Sequence, residues 1–203
     1  MRPRALDERW TSAMLLVLLT IPAAAPQVPG VAEAEVYRAA LTAMTFESLG
    51  SASRRHLLIA STTDPGGLWR GLDKATIESA PYLDPRHRLK YARPDAVEAF
   101  LQAIDVQRPL PQELRSLPDF LIVEQSELQT LVARGQLKAF ERRHALAPGS
   151  VAVSRIGFDA SGSQALLYVS FSCGSLCGSG TFVLLERGAG GWKVLKMDEY
   201  MVS

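Results

Sequence analysis

Charge and sulfur are both scarce in this chain. Only 21% of its 203 residues are charged, and 22 basic residues against 21 acidic ones leave a formal net charge of +1. Residues 1–25 hold Arg2, Arg4 and Arg9 against Asp7 and Glu8, so 19 residues of each sign remain beyond them. That balance argues against a general polyanion binder, and nucleic acid is not an expected partner. No run approaches the roughly 20 apolar residues that a transmembrane helix needs. Neither H-E-x-x-H nor G-x-x-x-x-G-K-[ST] occurs, and there is no internal repeat or low-complexity tract. No cofactor and no catalytic residue set is implied.

What is present begins with an export signature. Arg2, Arg4 and Arg9 precede an apolar run from Ala13 to Ile21, followed by Pro22-Ala-Ala-Ala25. This is the layout of a secretory signal peptide, with small residues at Ala23 and Ala25 for the peptidase. Neither cysteine lies near it to be acylated, and Pro3 separates Arg2 from Arg4, so it is neither a lipoprotein nor a twin-arginine signal. The expectation is a periplasmic or secreted protein. The alternative is one tethered by an uncleaved signal anchor.

With 47% apolar residues the chain can bury one sizeable core. Residues 1–25 are assigned to the signal, 26–35 to a linker and 36–203 to a single α+β domain. Val36, Tyr37, Ala40, Leu41 and Met44 at helical spacing predict an amphipathic helix over Val31 to Leu49, ended by Gly50. His56 to Thr63 reads as a strand stopped by Asp64-Pro-Gly-Gly67, and Lys74 to Ser79 as a short helix. Asp95 is placed to cap a helix from Ala96 that buries Val97, Phe100, Leu101 and Ile104. Phe120 to Glu124 is a second strand. Ser126 and Gln129 have capping-box spacing for a helix ending near Gly135, and Gln136 to Ala145 forms another.

Four strand-like runs then follow, broken by Asp159-Ala-Ser-Gly162, Cys173 to Gly180 and Gly188-Ala-Gly-Gly191. In the last run, Trp192 and Val194 are expected on one face, and Leu195, Met197 and Met201 on the other. The predicted architecture is an antiparallel sheet of about five or six strands ending in a four-strand meander, with helices packed on one face. A βαβ series is missing from this reading, which counts against nucleotide-dependent chemistry.

The carboxy-terminal block carries a recognisable pattern: Val153-Ser-Arg-Ile-Gly-Phe158, Gln164-Ala-Leu-Leu-Tyr-Val169, Gly178-Ser-Gly180, Val183-Leu-Leu185 and Gly191-Trp192-Lys-Val194. It resembles an uncharacterised family of exported bacterial proteins that end in an S-R-[IV]-G-F, Q-A-L-[VL]-Y-V, G-x-G, L-L, G-x-W-x-V series. Phe120 to Glu127 and Phe140 to Gly149 fit the same pattern. The resemblance implies an envelope or secreted domain and carries over no catalytic residue. Gly157 reads as a bulge position, and Tyr168, Trp192 and Tyr200 as lining a sheet mouth able to hold a small ligand.

Cys173 and Cys177, spaced C-x-x-x-C, read first as a disulfide closing a hairpin loop in an oxidising compartment. Thiol or Cu(I) chemistry is the sharper alternative, although no histidine or methionine lies within several residues to complete a site. Zinc in a structural four-ligand site lacks its ligands. Each histidine sits beside arginines: Arg55 and His56, Arg86 and His87, Arg143 and His144. Convergence of the three clusters would grip an anion through arginine forks, whereas separate clusters are solvated faces. The functional expectation is a non-enzymatic module of the cell envelope that binds a small ligand or an envelope protein. The competing reading is a small hydrolase whose site assembles from dispersed His, Ser and Asp residues.

Overall fold

The computed structural model describes residues 30–44, 57–63, 72–146, 149–174 and 177–202. The expected signal peptide, the Gly50 helix stop, the Arg55–His56 pair and the Asp64 to Gly67 turn lie outside the described residues.

Six helices and seven strands are described: α1 (Gly30–Ala43), β1 (Leu57–Ala60), α2 (Lys74–Ser79), α3 (Pro85–Arg88), α4 (Pro94–Ala103), β2 (Phe120–Val123), α5 (Gln125–Ala133), α6 (Leu137–Arg143), β3 (Ser150–Val153), β4 (Gly157–Phe158), β5 (Gln164–Gly174), β6 (Cys177–Gly188) and β7 (Gly191–Val202). The strands form one sheet in the order β2-β1-β3-β5-β6-β7, with β4 also paired to β5. The sheet is mixed, which corrects the expectation of an antiparallel one. β1 runs parallel to β2, Leu57 facing Phe120 through Ala60 facing Val123, and parallel to β3. β3, β4, β6 and β7 make antiparallel pairs. The βαβ connectivity expected to be missing is therefore present, since β2 reaches β3 through α5 and α6.

The physical reason is legible in burial. Leu57–Ala60 and Ser150–Val153 are buried at every residue. A strand covered on both faces has no alternation to show, and such runs suit parallel pairing. The same double burial overturns the expectation of helices on one face. Val151, Val153, Leu167, Val169, Val183 and Leu185 pack with Val36, Tyr37, Ala40 and Leu41 of α1. Leu166, Tyr168, Phe182 and Leu184 point the other way, into Ile77 of α2 and Val97, Phe100 and Leu101 of α4. On that second face Leu58, Ala60 and Val123 meet Leu128 of α5, with Leu137 and Phe140 of α6 partly buried against them.

Local chemistry adjusts several boundaries. Pro94 is the first residue of α4, its φ already helical and its missing N–H no loss at that position. Asp95 consequently lies inside the first turn, and its carboxylate accepts from Ala96 N (3.1 Å) and Ala160 N (2.8 Å). α5 starts at Gln125 behind Glu124, so Ser126 is not its cap. In β7 the register slips twice, between its partners Leu184 and Leu185 and again between Gly180 and Thr181. The extra residues, Leu195 and Tyr200, break the period of two. Met197 therefore pairs with Val183 and falls on the Trp192 and Val194 face, against the sequence expectation.

Gly157 follows an irregularity in the pairing with β5: Val153 faces Val169 and Gly157 faces Leu166, so residues 154–156 oppose only 167 and 168. A Cβ built on Gly157 would lie 2.5 Å from Ala96 O and closer still to Phe100 N. The residue is glycine because the α4 backbone rests on β4. Gly157→Ala is expected to destabilise the domain by about 3 kcal/mol or more, since backbone rather than a side chain must move. Gly190→Ala, with nothing within 4 Å, is the control. Equal urea midpoints for the two variants would refute the contact.

Candidate functional site at the ends of the parallel strands

The carboxyl ends of parallel strands are where open α/β sheets place ligands, because the turns that follow diverge and leave a crevice. Here β1 ends in Ser61-Thr62-Thr63 and β2 in Glu124. Ser61 continues the ladder through Ser61 N to Val123 O (2.8 Å). Its buried hydroxyl donates to Glu124 Oε2 (2.9 Å) and accepts from Gln125 N (3.3 Å). Arg115 Nη2 meets Glu124 Oε1 at 2.9 Å, with both side chains more than half exposed. A buried serine thus supports an exposed carboxylate and guanidinium at the rim.

The segment Val106–Leu110 closes one side of this end. Thr63 N donates to Arg108 O (2.7 Å), Arg108 N to Thr63 Oγ1 (2.9 Å), and Leu110 N to Ser61 O (2.8 Å). Thr63 is almost fully buried, and its hydroxyl also donates to Val106 O at 3.2 Å. Thr62 Oγ1 is buried without a hydrogen-bond partner among the described residues. The Arg108 side chain is exposed and makes no ion pair among the described residues. Ser61, foremost, and Arg115 hold the Glu124 carboxyl below the usual glutamate range. An ionised carboxylate of that kind is a weak proton acceptor and gives Ser61 no general base. The arrangement offers both charges and a hydroxyl to a polar ligand without an evident route to turnover.

A second polar cluster looks catalytic by composition and is structural by geometry. Asp159, only 4% exposed, accepts from Ser163 N and Gln164 N (both 2.7 Å) and from Ser161 Oγ (2.5 Å), and it pairs with Arg93. Arg93 N in turn donates to Gln164 Oε1 (2.6 Å), and Gln164 Nε2 donates to Tyr91 O (3.1 Å). Burial alone would raise the Asp159 carboxyl, but bonds from Ser161, Gln164 N, Arg93 and Ser163 N outweigh it and hold the group far below the ordinary aspartate range. These bonds fasten the β4–β5 turn to the start of α4.

The residues singled out from sequence are dispersed. Tyr168 is 1% exposed beneath α4, with its ring 5.5 Å from Phe182, whereas Trp192 packs on the opposite face, 5.8 Å from Phe158. They share no mouth, and the Tyr200 side chain lies outside the described residues. Trp192 Nε1 is buried without a hydrogen-bond partner among the described residues. The Cys173 and Cys177 side chains also lie outside them. Their backbones flank the β5–β6 turn, where the ladder pairs Gly174 with Cys177 and leaves Cys173 at an irregularity.

Arg86 is held by the Asp84 carboxylate, with Nε to Oδ2 at 2.8 Å and Nη2 to Oδ2 at 2.5 Å. His87 stands on α3, while Arg143 and His144 end α6, where the His144 ring lies 4.3 Å from that of Phe140. No hydrogen bond or ion pair among the described residues joins Arg86 and His87 to Arg143 and His144. Neither imidazole bonds a serine, aspartate or glutamate among the described residues. Sequence reasoning missed Ser61 and Glu124 because it read no parallel strands. The usable signal was an unalternating apolar run leading straight into Ser-Thr-Thr.

The described residues gather no group of three or more His, Cys, Asp or Glu able to hold a metal ion, and no described helix is long and apolar enough to cross a membrane. The chain matches no protein family, no curated protein and no solved structure.

Two expectations follow from these clusters. Ser61→Ala should raise the Glu124 carboxyl toward its ordinary value, read from carboxyl chemical shifts across a pH titration; an unchanged titration would show that the bond is not made in solution. Asp159→Asn should cost about 2–4 kcal/mol at neutral pH, because it leaves buried donors and Arg93 without their anion. The native pKa is depressed, so this stabilisation is complete above the unfolded value of about 3.9 and fades as pH falls toward the folded one. The gap between wild type and variant in urea melts should therefore narrow below about pH 4. A gap that stays constant into acid would contradict the assignment.

Proposed function

We propose that this protein is a non-enzymatic binding module of the cell envelope, exported to the periplasm or beyond, whose contact site is the polar end of β1 and β2. The observation that carries the binding reading is the Ser61–Glu124–Arg115 clasp, an ionised carboxylate and a guanidinium side by side at 2.9 Å, at the position where parallel strands receive ligands. Such a pair suits a ligand that both donates and accepts, such as a zwitterionic or amide-bearing molecule or a peptide from an envelope partner. The export reading rests on the arginines and apolar run of the amino terminus and on the resemblance to exported proteins. With it goes a Cys173–Cys177 disulfide, which would pin the β5–β6 turn.

The hydrolase alternative needs a histidine with a hydroxyl or carboxylate partner, and His87 and His144 have none among the described residues. Calorimetry with short peptides and peptidoglycan fragments should find a ligand whose affinity falls at least tenfold in Arg115→Ala. Hydrolysis of any such compound, lost in a Ser61 or Glu124 variant, would overturn the non-enzymatic reading. Intact mass of protein recovered from the periplasm should be lighter by the signal peptide and by the two thiol hydrogens. A full-length, thiol-bearing mass in the cytoplasmic fraction would reject export.

A further inference from the structure

We propose that the outer surface of α5 and α6 is a docking surface for an anionic lipid bilayer. Within residues 134–144 the side chains of Arg134, Lys138, Arg142, Arg143 and His144 are all exposed. None makes an ion pair among the described residues, where the salt bridges involve other cations. The acid on α6, Glu141, is turned inward: it is 7% exposed and its Oε1 accepts from Gly149 N at 2.8 Å. In a chain of net charge +1, four permanent cations in ten residues, against the inward Glu141 and the exposed Glu127 of α5, are a marked segregation.

The rest of α6 fixes which way these cations face. Leu137 and Phe140 pack against the core formed by Leu58, Ala60, Val123, Leu128 and Leu146, so the basic row lies on the outer side. Lys138 and Arg142 are one helical turn apart, and the arginines at the ends of α5 and α6 extend the row. Cations ending a helix also complement its dipole, but that effect needs one charge and is confined to the last turn. A single small anion would require forks converging on one point. Side chains spread along two successive helices instead match a plane of many anions, as lipid headgroups present.

The choice of lipid over other polyanions rests on the envelope location proposed above; the surface itself does not. The test is flotation of the full chain with phosphatidylcholine vesicles, with and without phosphatidylglycerol. Wild type should partition several-fold better onto the anionic vesicles, and high salt should remove the difference. Each cation near an anionic surface strengthens association by roughly fivefold, so the variant carrying Arg134→Gln, Lys138→Gln, Arg142→Gln and Arg143→Gln should lose roughly a hundredfold or more. The amino-terminal arginines and apolar run are common to both proteins, so their difference reads α5 and α6 alone.

Thermal melts of the variant should match wild type. If they do not, the single exposed substitution Lys138→Glu replaces it and should weaken binding at least fivefold. The proposal is overturned if wild type shows no anionic preference, if the variants keep it, or if duplex DNA or a sulfated glycan strips the protein from vesicles at matched charge. Vesicle binding by a protein that cells retain in the cytoplasm would defeat the export reading and leave this one standing.

Discussion

The arrangement of the helical layer over β4 and β5 depends on one steric constraint: the backbone of α4 lies directly on Gly157, with no room for a side chain between them. Close approach of two backbones brings no hydrogen bond of its own, so it must be held from the flanks. The Asp159 cluster does this on the polar side, and Phe100 against Phe182, with centroids 6.0 Å apart, does it on the apolar side. Burying a carboxylate is costly unless its lone pairs are filled, and here the turn supplies amides and hydroxyls while α4 supplies the arginine. The charge therefore specifies where the helix begins as well as which turn it meets.

A sheet buried on both faces explains the wider organisation. α1 and the Leu110–Leu117 segment cover one side, and α2 to α6 the other. Because β1 sits between two parallel partners, the chain must leave its carboxyl end and cross back twice, which gathers Ser61, Thr63 and Glu124 at one edge of the sheet. The candidate site is thus a by-product of topology: the buried hydroxyls complete the strand ends, and the charged side chains of Glu124, Arg115 and Arg108 reach solvent.

Much of this was legible in the residues. The helix over Lys74–Ser79 and the strand from Phe120 fall where the sequence places them, and the carboxy-terminal runs do form strands. Three things were hidden, each for a physical reason. Leu57–Ala60 spans only four residues, so its unbroken apolar run points to burial on both faces without naming the strands it pairs with. The role of Gly157 depends on a helix sixty residues earlier in the chain, which no local pattern records. The bulges at Leu195 and Tyr200 insert residues without any glycine or proline to announce them, so a period of two carried Met197 to the wrong face. At the candidate site, Glu124 was visible as a strand end, but its link to Ser61 across 63 positions was not.

β7 ends the sheet, and its two bulges make that edge a poor template for a further strand. A twelve-residue edge with Leu195 and Met197 exposed would invite another strand if it were flat and regular. Each bulge interrupts the run of evenly spaced amides and twists the strand, while Lys193 and Lys196 place charge along it. Arg88 reaches across from α3 to pair with Asp198 and donate to Glu199 O at 3.1 Å, occupying a carbonyl near the strand's end. The irregularities that defeat a simple reading of β7 are thus a defence against edge-to-edge aggregation.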